Sequence, residues 1–152
     1  SLANSRARLR MTTLYYYAGY YKSLVVGTGN KVEDFGVGFY TKYGDGGVDI
    51  SPIADLLKSE VFSIGKYLRI TNKILVAKPT DGLWDDNRTD EEQMGMNYDE
   101  IEEAMRLISD KIPDNELDVD QLKARNIYIK LNEQNRHKMK PIPLCEIPKG
   151  LL

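Results

Sequence analysis

Apolar residues recur at helical spacing along the first stretch of the chain. From Asn4 or Ser5, either of which suits an N-cap, to about Lys22 only Gly19 interrupts, and Leu14, Tyr17, Ala18 and Tyr21 fall at i, i+3, i+4 and i+7. That spacing predicts an amphipathic helix. The pattern then changes: Leu24-Val25-Val26-Gly27-Thr28 is a short continuous apolar run closed by glycine, as a buried parallel strand would be. Ser51-Pro52 precedes a second helical stripe, about Asp55 to Leu68. Its Leu57, Val61, Ile64 and Leu68 should pack on the sheet, with Asp55 near the helix's positive end. Residues 78–96 are polar and rich in turn formers around one exposed-looking tryptophan, Trp84, and read as a mobile loop. Two further helices are predicted at about 97–109 and 118–136, the first with Asn97 as cap and Glu100 three residues on. Pro141-Ile142-Pro143 ends regular structure, and no internal repeat or low-complexity tract breaks the sequence.

Composition narrows the classes. With 152 residues and 41% hydrophobic content, the chain is the size of one domain with its own core. A formal net charge of -2 provides no global basic field for nucleic acid or an anionic membrane surface, so an anionic ligand must be caught locally. The single cysteine, Cys145, cannot form an internal disulfide, and a reducing, cytoplasmic setting is expected. No apolar run is long enough for a bilayer, so a soluble protein is expected. Ser1 opens the sequence and a helix begins almost at once, which predicts a cut end rather than a native start.

Seven of the twelve glycines crowd between Gly27 and Gly47, marking a region of demanding backbone geometry. Residues 25–33, Val-Val-Gly-Thr-Gly-Asn-Lys-Val-Glu, put a hydroxyl and then a carboxylate past the carboxyl end of the predicted strand, where open α/β sheets bind ligands. Thr28 suits a nucleotide and Glu33 a Mg2+ ion, although a plain turn and a solvated glutamate account for the same letters. Neither G-x-G-x-x-G nor G-x-x-x-x-G-K-[ST] is present. In residues 39–49, three glycines around Asp45 let backbone approach a ligand, with Lys42 and Asp49 at the flanks; a turn with surface charges is the equal alternative. Arg6 and Arg10 share a helix face while Arg8 points elsewhere, and Arg136, His137 and Lys138 form a basic patch; each is either an anion contact or a solvated cluster. Tyr15, Tyr16, Tyr17, Tyr20 and Tyr21 are assigned to packing, in the core or at a subunit interface.

Taken in order from about Asn4 to Pro148, these segments resemble the NAD synthetase family. The resemblance rests on Arg-Ala-Arg-Leu-Arg-Met at 6–11, Gly-Thr-Gly-Asn-Lys-Val-Glu at 27–33, Thr-Lys-Tyr-Gly-Asp-Gly-Gly-Val-Asp at 41–49, Lys58, Lys-Pro-Thr at 78–80, and His-Lys at 137–138. It implies an α/β fold: a Rossmann-like (adenine nucleotide alpha-hydrolase-like) parallel sheet, partial here, with C-terminal helices, residues 1–152 forming the C-terminal half of the catalytic domain. It implies ATP-dependent amidation of nicotinic acid adenine dinucleotide (deamido-NAD) to NAD through an adenylate, with release of pyrophosphate and AMP. Carried over by resemblance, Thr28, Lys58 and Thr80 would contact ATP, Lys58 stabilising phosphate charge, and Glu33 would ligate Mg2+. Arg8, Lys42, Asp49, His137 and Lys138 resemble positions that hold deamido-NAD, and Asp45 resembles the ammonia-site aspartate. Residues 78 to about 90 resemble a lid that shields the adenylate, carrying Thr80. A homodimer is also implied.

One family element is missing. No Ser-Gly-Gly occurs in the 152 residues, so the Ser-Gly-Gly-x-Asp-Ser loop that grips ATP phosphates is absent, and these residues are expected to be inactive on their own. The ending Asn-Arg-His-Lys-Met-Lys-Pro resembles the ammonia-using branch. Two other readings stand beside this one: a related ATP pyrophosphatase-type ligase, and a noncatalytic half that binds a dinucleotide or dimerises.

Overall fold

The computed structural model describes residues 2–151. Its elements are helical: α1 (Leu2–Tyr21), a π-helical turn (Lys31–Val37), α2 (Lys58–Tyr67), α3 (Asn72–Leu75), α4 (Asp90–Met94), α5 (Tyr98–Ser109) and α6 (Val119–Met139), with short 3-10 turns at Asp114–Glu116 and Lys149–Leu151. None of these helices is long and apolar enough to cross a membrane.

The core lies at the C-terminal side. Val32 and Val37 of the π-helical turn are buried against Met94, Met96, Tyr98 and Ile101, and α6 closes over them with Ala124, Ile127, Tyr128 and Leu131. Helix α5 is built for this position. Asn97 caps it, accepting from the Glu100 N–H at 2.8 Å while Glu100 accepts from the Asn97 N–H at 2.9 Å, and Tyr98, Ile101, Ala104 and Leu107 form one buried stripe. The predicted helices at 97–109 and 118–136 are both present, the second running three residues further.

Helix α6 also completes the backbone of the π-helical turn. Asn132 donates to Gly36 O at 2.7 Å, Asn135 to Val37 O at 2.9 Å, and Lys138 to Gly38 O at 2.8 Å and Tyr40 O at 2.7 Å. The three donors are spaced by three residues, so one face of α6 satisfies carbonyls that the end of the turn leaves open. Gly38 must be glycine: its φ is +64°, and a Cβ there would overlap Asn135.

Four expectations need correction. The apolar run 24–28 forms no strand among the described residues; it makes one parallel bridge, Val26 with Ile50. A bridge of one residue pair has no second neighbour to extend it into a ladder, so the predicted sheet is not formed here, and Val26 remains 54% exposed. The second helix begins at Lys58 rather than Asp55, which instead pairs with Lys31 at 2.9 Å, and without a sheet to pack on, Ile64 and Leu68 stay exposed. Residues 78–96 are not a plain loop. They contain α4, and Trp84 is half-buried, its indole N–H donating to Gln93 at 2.8 Å with the Arg88 guanidinium 4.3 Å above its ring. Finally, Tyr15, Tyr16, Tyr17, Tyr20 and Tyr21 are exposed, so they do not pack in this chain's core.

Candidate functional site

The sequence places Asn30 where the chain leaves the apolar run, and its buried carboxamide starts the next element. Its Oδ1 accepts from the N–H groups of Val32 at 2.9 Å and Glu33 at 3.1 Å. The wide π-helical turn that follows brings the adjacent carboxylates Glu33 and Asp34 to the wall of one cavity of about 370 Å³. Thr28, Asp45, Thr80, Asp81 and Asp90 face the same cavity. Gly29 leaves room for this arrangement, since a Cβ there would overlap the Asp34 carboxylate.

Lys58 reaches the site from the first residue of α2. Ser59 fixes that end of the helix to α5, its N–H and hydroxyl donating to Glu102 at 3.0 and 2.6 Å. Lys58 Nζ then donates to Glu33 Oε1 at 2.8 Å, and the two side chains are only 17% and 14% exposed. The same oxygen accepts the Tyr98 hydroxyl at 2.6 Å, and the lysine ammonium lies 4.6 Å from the Tyr98 ring. Burial first, and then Glu33, push the Tyr98 phenol up, so it is a proton donor throughout the physiological range.

The remaining carboxylates are crowded. Burial, then the charges of Glu33 and Asp45, push Asp34 up to about 6. Burial, then Glu33 and Asp81, push Asp90 up to about 6 against the opposing effect of Lys58. Asp90 is 8% exposed, and its Oδ1 has no hydrogen-bond partner. Burial also raises Asp45, which accepts the Thr41 N–H at 2.9 Å and lies near the Lys138 ammonium. Asp45 and Lys138 line a second cavity of about 210 Å³, and Asp45 faces both cavities.

The residues singled out in the sequence do not all meet in one place. Thr28, Glu33, Asp45 and Thr80 meet around the larger cavity, with Lys58 bonded to Glu33 at its edge. Arg8, Lys42 and His137 form a separate chain of contacts: Arg8 donates to Lys42 O at 3.3 Å, and Lys42 Nζ to His137 O at 2.7 Å. Asp49 is occupied with structure, accepting the Val25 N–H at 2.8 Å and the Tyr15 hydroxyl at 3.1 Å, which holds the two sides of the Val26–Ile50 bridge together. Arg6 and Arg10 hold residues 81–85 to α1, through Leu83 O at 2.7 Å, Asp81 O at 3.0 Å and Gly82 O at 2.9 Å. Asp34, Asp81, Asp90 and Tyr98 were not foreseen. Tyr98 lies 65 residues from Glu33 and carries no spacing signal, whereas Asp34 and Asp90 each adjoin a recognisable cap residue or motif.

The described residues hold no group of three or more His, Cys, Asp or Glu side chains placed to cage a metal. The donor set does fit a hard cation such as Mg2+, which takes one or two carboxylates and fills its remaining positions with water and phosphate oxygen. Glu33 stands at the cavity wall, and the orphaned Asp90 oxygen is the kind of donor that a cation satisfies.

A model of the NAD synthase family matches residues 1–142. The chain is 42% identical over 146 residues to the NH(3)-dependent NAD(+) synthetase of Archaeoglobus fulgidus, covering 95% of the chain and 56% of that relative. To the enzyme of the same description from Methanosarcina acetivorans it is 38% identical over 150 residues, with 95% and 57% covered. The chain thus spans a little over half the length of the curated relatives it matches. Among solved structures it is similar to an NMN synthetase from Francisella tularensis, with a TM-score of 0.75 at 38% identity over 97% of the chain and 56% of that structure. It is also similar to an NH3-dependent NAD synthetase from Campylobacter jejuni in complex with the nitrate ion, with a TM-score of 0.70 at 28% identity over 94% and 54%.

Proposed function

The chain belongs to the NAD synthase family, and from that premise we propose that it supplies the C-terminal half of an enzyme that amidates nicotinic acid adenine dinucleotide to NAD with ATP and ammonia. The observation that carries the reading is the Lys58–Glu33 pair at a cavity shared by Thr28, Asp45 and Thr80. Thr28 and Thr80 contact ATP. Lys58 leaves Glu33 for a phosphate oxygen, where its charge offsets the negative charge that develops as the nicotinate carboxylate attacks the α-phosphate and pyrophosphate departs. Mg2+ held through Glu33 supplies further neutralisation of the phosphates. Asp45 attracts ammonium and accepts the proton it sheds, a task for which its raised pKa is suited; the amine then displaces AMP from the adenylate. Arg8, Lys42, Asp49, His137 and Lys138 hold deamido-NAD, the cations facing its phosphates. Residues 78–94 shield the adenylate from water. Val26 and Ile50 mark the edge of the family's parallel sheet, and the exposed tyrosines of α1 are an interface with a second copy.

The test is a mass-resolved assay of the full-length protein with deamido-NAD, ATP, Mg2+ and either ammonium or glutamine. NAD and AMP are expected with ammonium, and Lys58→Ala should lower kcat at least a hundredfold. Formation of NAD from glutamine alone would overturn the donor assignment, and no NAD from either donor would overturn the function. The Francisella relationship makes the mononucleotide acid a second substrate to include; preference for it would turn the reading to NMN synthesis. The 152 residues alone, which lack Ser-Gly-Gly, are expected to form no product.

A further inference from the structure

Asp90 is buried with part of its carboxylate unsatisfied. It opens α4, but that helix start is already secured by its neighbours: Thr89 Oγ1 accepts the Glu92 N–H at 3.2 Å, and Glu92 accepts the Thr89 N–H at 2.7 Å. Asp90 contributes its backbone N–H to Pro79 O at 3.1 Å, a contact any residue but proline would make. The carboxylate also accepts the Asp81 N–H, yet the residue is more than nine-tenths buried and Oδ1 lacks a partner at the larger cavity. Leaving a buried carboxylate oxygen without a donor is costly, and native structures retain such a group where something else completes it.

The surroundings say what that is. Glu33, Asp34, Asp45, Asp81 and Asp90 all line this cavity, while Arg10 is the only cationic side chain in its lining and Lys58 contributes one ammonium from the edge, through Glu33. Arg10 is committed to the carbonyls of Asp81 and Gly82. The space therefore has a deficit of positive charge, with hard oxygen donors converging on it from two separate elements. A water molecule would satisfy Oδ1 but not the charge.

We infer that Asp90 is a ligand for a divalent cation of the Mg2+ class, completing with Glu33 a two-carboxylate site that joins α4 to the π-helical turn. The inference rests on the proposed metal role of Glu33 and adds to it a carboxylate from the segment that covers the cavity. Two carboxylates, with water or phosphate in the other positions, match what Mg2+ accepts without a closed protein cage. Cation binding then ties α4 to the π-helical turn across the cavity that both line. Without the cation residues 78–94 carry an uncompensated charge. Trp84, the sole tryptophan of the chain, sits on this segment and reports its state.

The experiment is a titration of the full chain with Mn2+, read by electron paramagnetic resonance of the free ion and by Trp84 emission, with Mg2+ as competitor and no nucleotide present. The wild type is expected to bind Mn2+ saturably and reversibly, with a saturable change in Trp84 emission. Asp90→Asn should weaken binding at least tenfold, abolish the emission change, and raise the melting temperature in chelator, whereas a purely structural aspartate would lower it on replacement. Glu33→Gln should also weaken binding. If Asp90→Asn binds Mn2+ as the wild type does while Glu33→Gln does not, Glu33 keeps its metal and this inference fails. If the wild type shows no saturable binding and no Trp84 response, the inference fails without recourse to a variant. The NAD-forming assay remains independent of both, so a failure here is distinguishable from a failure of the proposed reaction.

Discussion

Helices α1 and α5 are both uninterrupted by proline and contain regularly placed apolar residues, yet they stand in opposite relations to the fold. α5 buries Tyr98, Ile101, Ala104 and Leu107 against the π-helical turn and α6, whereas α1, at 20 residues, buries only Ala3 and Ala7. Leu9, Leu14 and the five tyrosines of its remaining length are exposed, as are Leu24, Val26 and Ile50. A helical spacing of apolar residues thus has two meanings. In α5 it is a core stripe that holds the chain together; in α1 it is a surface anchored at one end by arginine contacts to residues 81–85. Single substitutions should separate the two.

The sharpest break is expected at Ile101, which has no exposure and sits at the centre of the C-terminal cluster. Ile101→Ala should destabilise the chain by about 3 kcal/mol or more, through lost apolar transfer and an unfilled cavity. Denaturant unfolding measures it; a loss under about 1 kcal/mol would mean that the α5 side is no more a core than the α1 side. Next in size is Gly38→Ala, where the left-handed backbone and the overlap with Asn135 act together. A cost of about 2 kcal/mol is expected. Denaturant unfolding of the two chains measures it, and a cost under about 0.5 kcal/mol would show that α6 yields to the added methyl.

How much of this contrast was legible follows from the range of the forces involved. Caps and periodicity act within a turn or two, so α5, with Asn97 and Glu100 as its signature, and α6 could be read from local letters. Glu33, Lys58, Thr28, Asp45 and Thr80 also lie in segments with local signals, and the structure gathers them at one cavity and its edge. The Tyr98 hydroxyl on Glu33 and the row of α6 donors on the π-helical turn link residues roughly 65 to 100 positions apart, and nothing in either segment signals the other. The strand 24–28 failed for a related reason: apolar composition predicts what a segment could pair with, but a sheet exists only where neighbours are present, and here one residue pair meets.

Electrostatics gives a third, smaller separation. Folding raises Asp34 and Asp90 to about 6 from an ordinary 3.8, so the folded chain takes up protons between those values. Each raised carboxyl contributes stability that is fully present below its unfolded pKa and is lost as pH rises through the folded one. The metal-free chain should therefore be more stable at pH 5.5 than at pH 7.5, by about 1–2 kcal/mol once solvent screening of the half-exposed Asp34 is allowed for. Asp86, Glu92 and Glu103 shift the other way, but their contribution is lost only at lower pH and does not oppose the trend in this window. Thermal melts at the two pH values measure the difference. Asp34→Asn should shrink it, and Mg2+ should cancel the part due to Asp90.

The smallest effect is expected on α1, and it carries most of the information about that helix. Leu9 is 68% exposed and touches neither cavity. In dilute solution Leu9→Ala should change stability by no more than about 0.5 kcal/mol, as for other surface sites. A second copy covering α1 would change that result in a recognisable way, because burying apolar side chains contributes in proportion to the area removed from water and binding raises stability with concentration. The wild-type melting temperature would then climb as the chain is concentrated, and Leu9→Ala, or Tyr20→Ser on the same helix, would flatten the climb while leaving the dilute value alone. Sedimentation across the same concentrations reads the association directly. A melting temperature that stays flat and a single monomer boundary would overturn the assignment of α1 to a subunit interface, and its exposed leucines and tyrosines would then need a different partner, in cis.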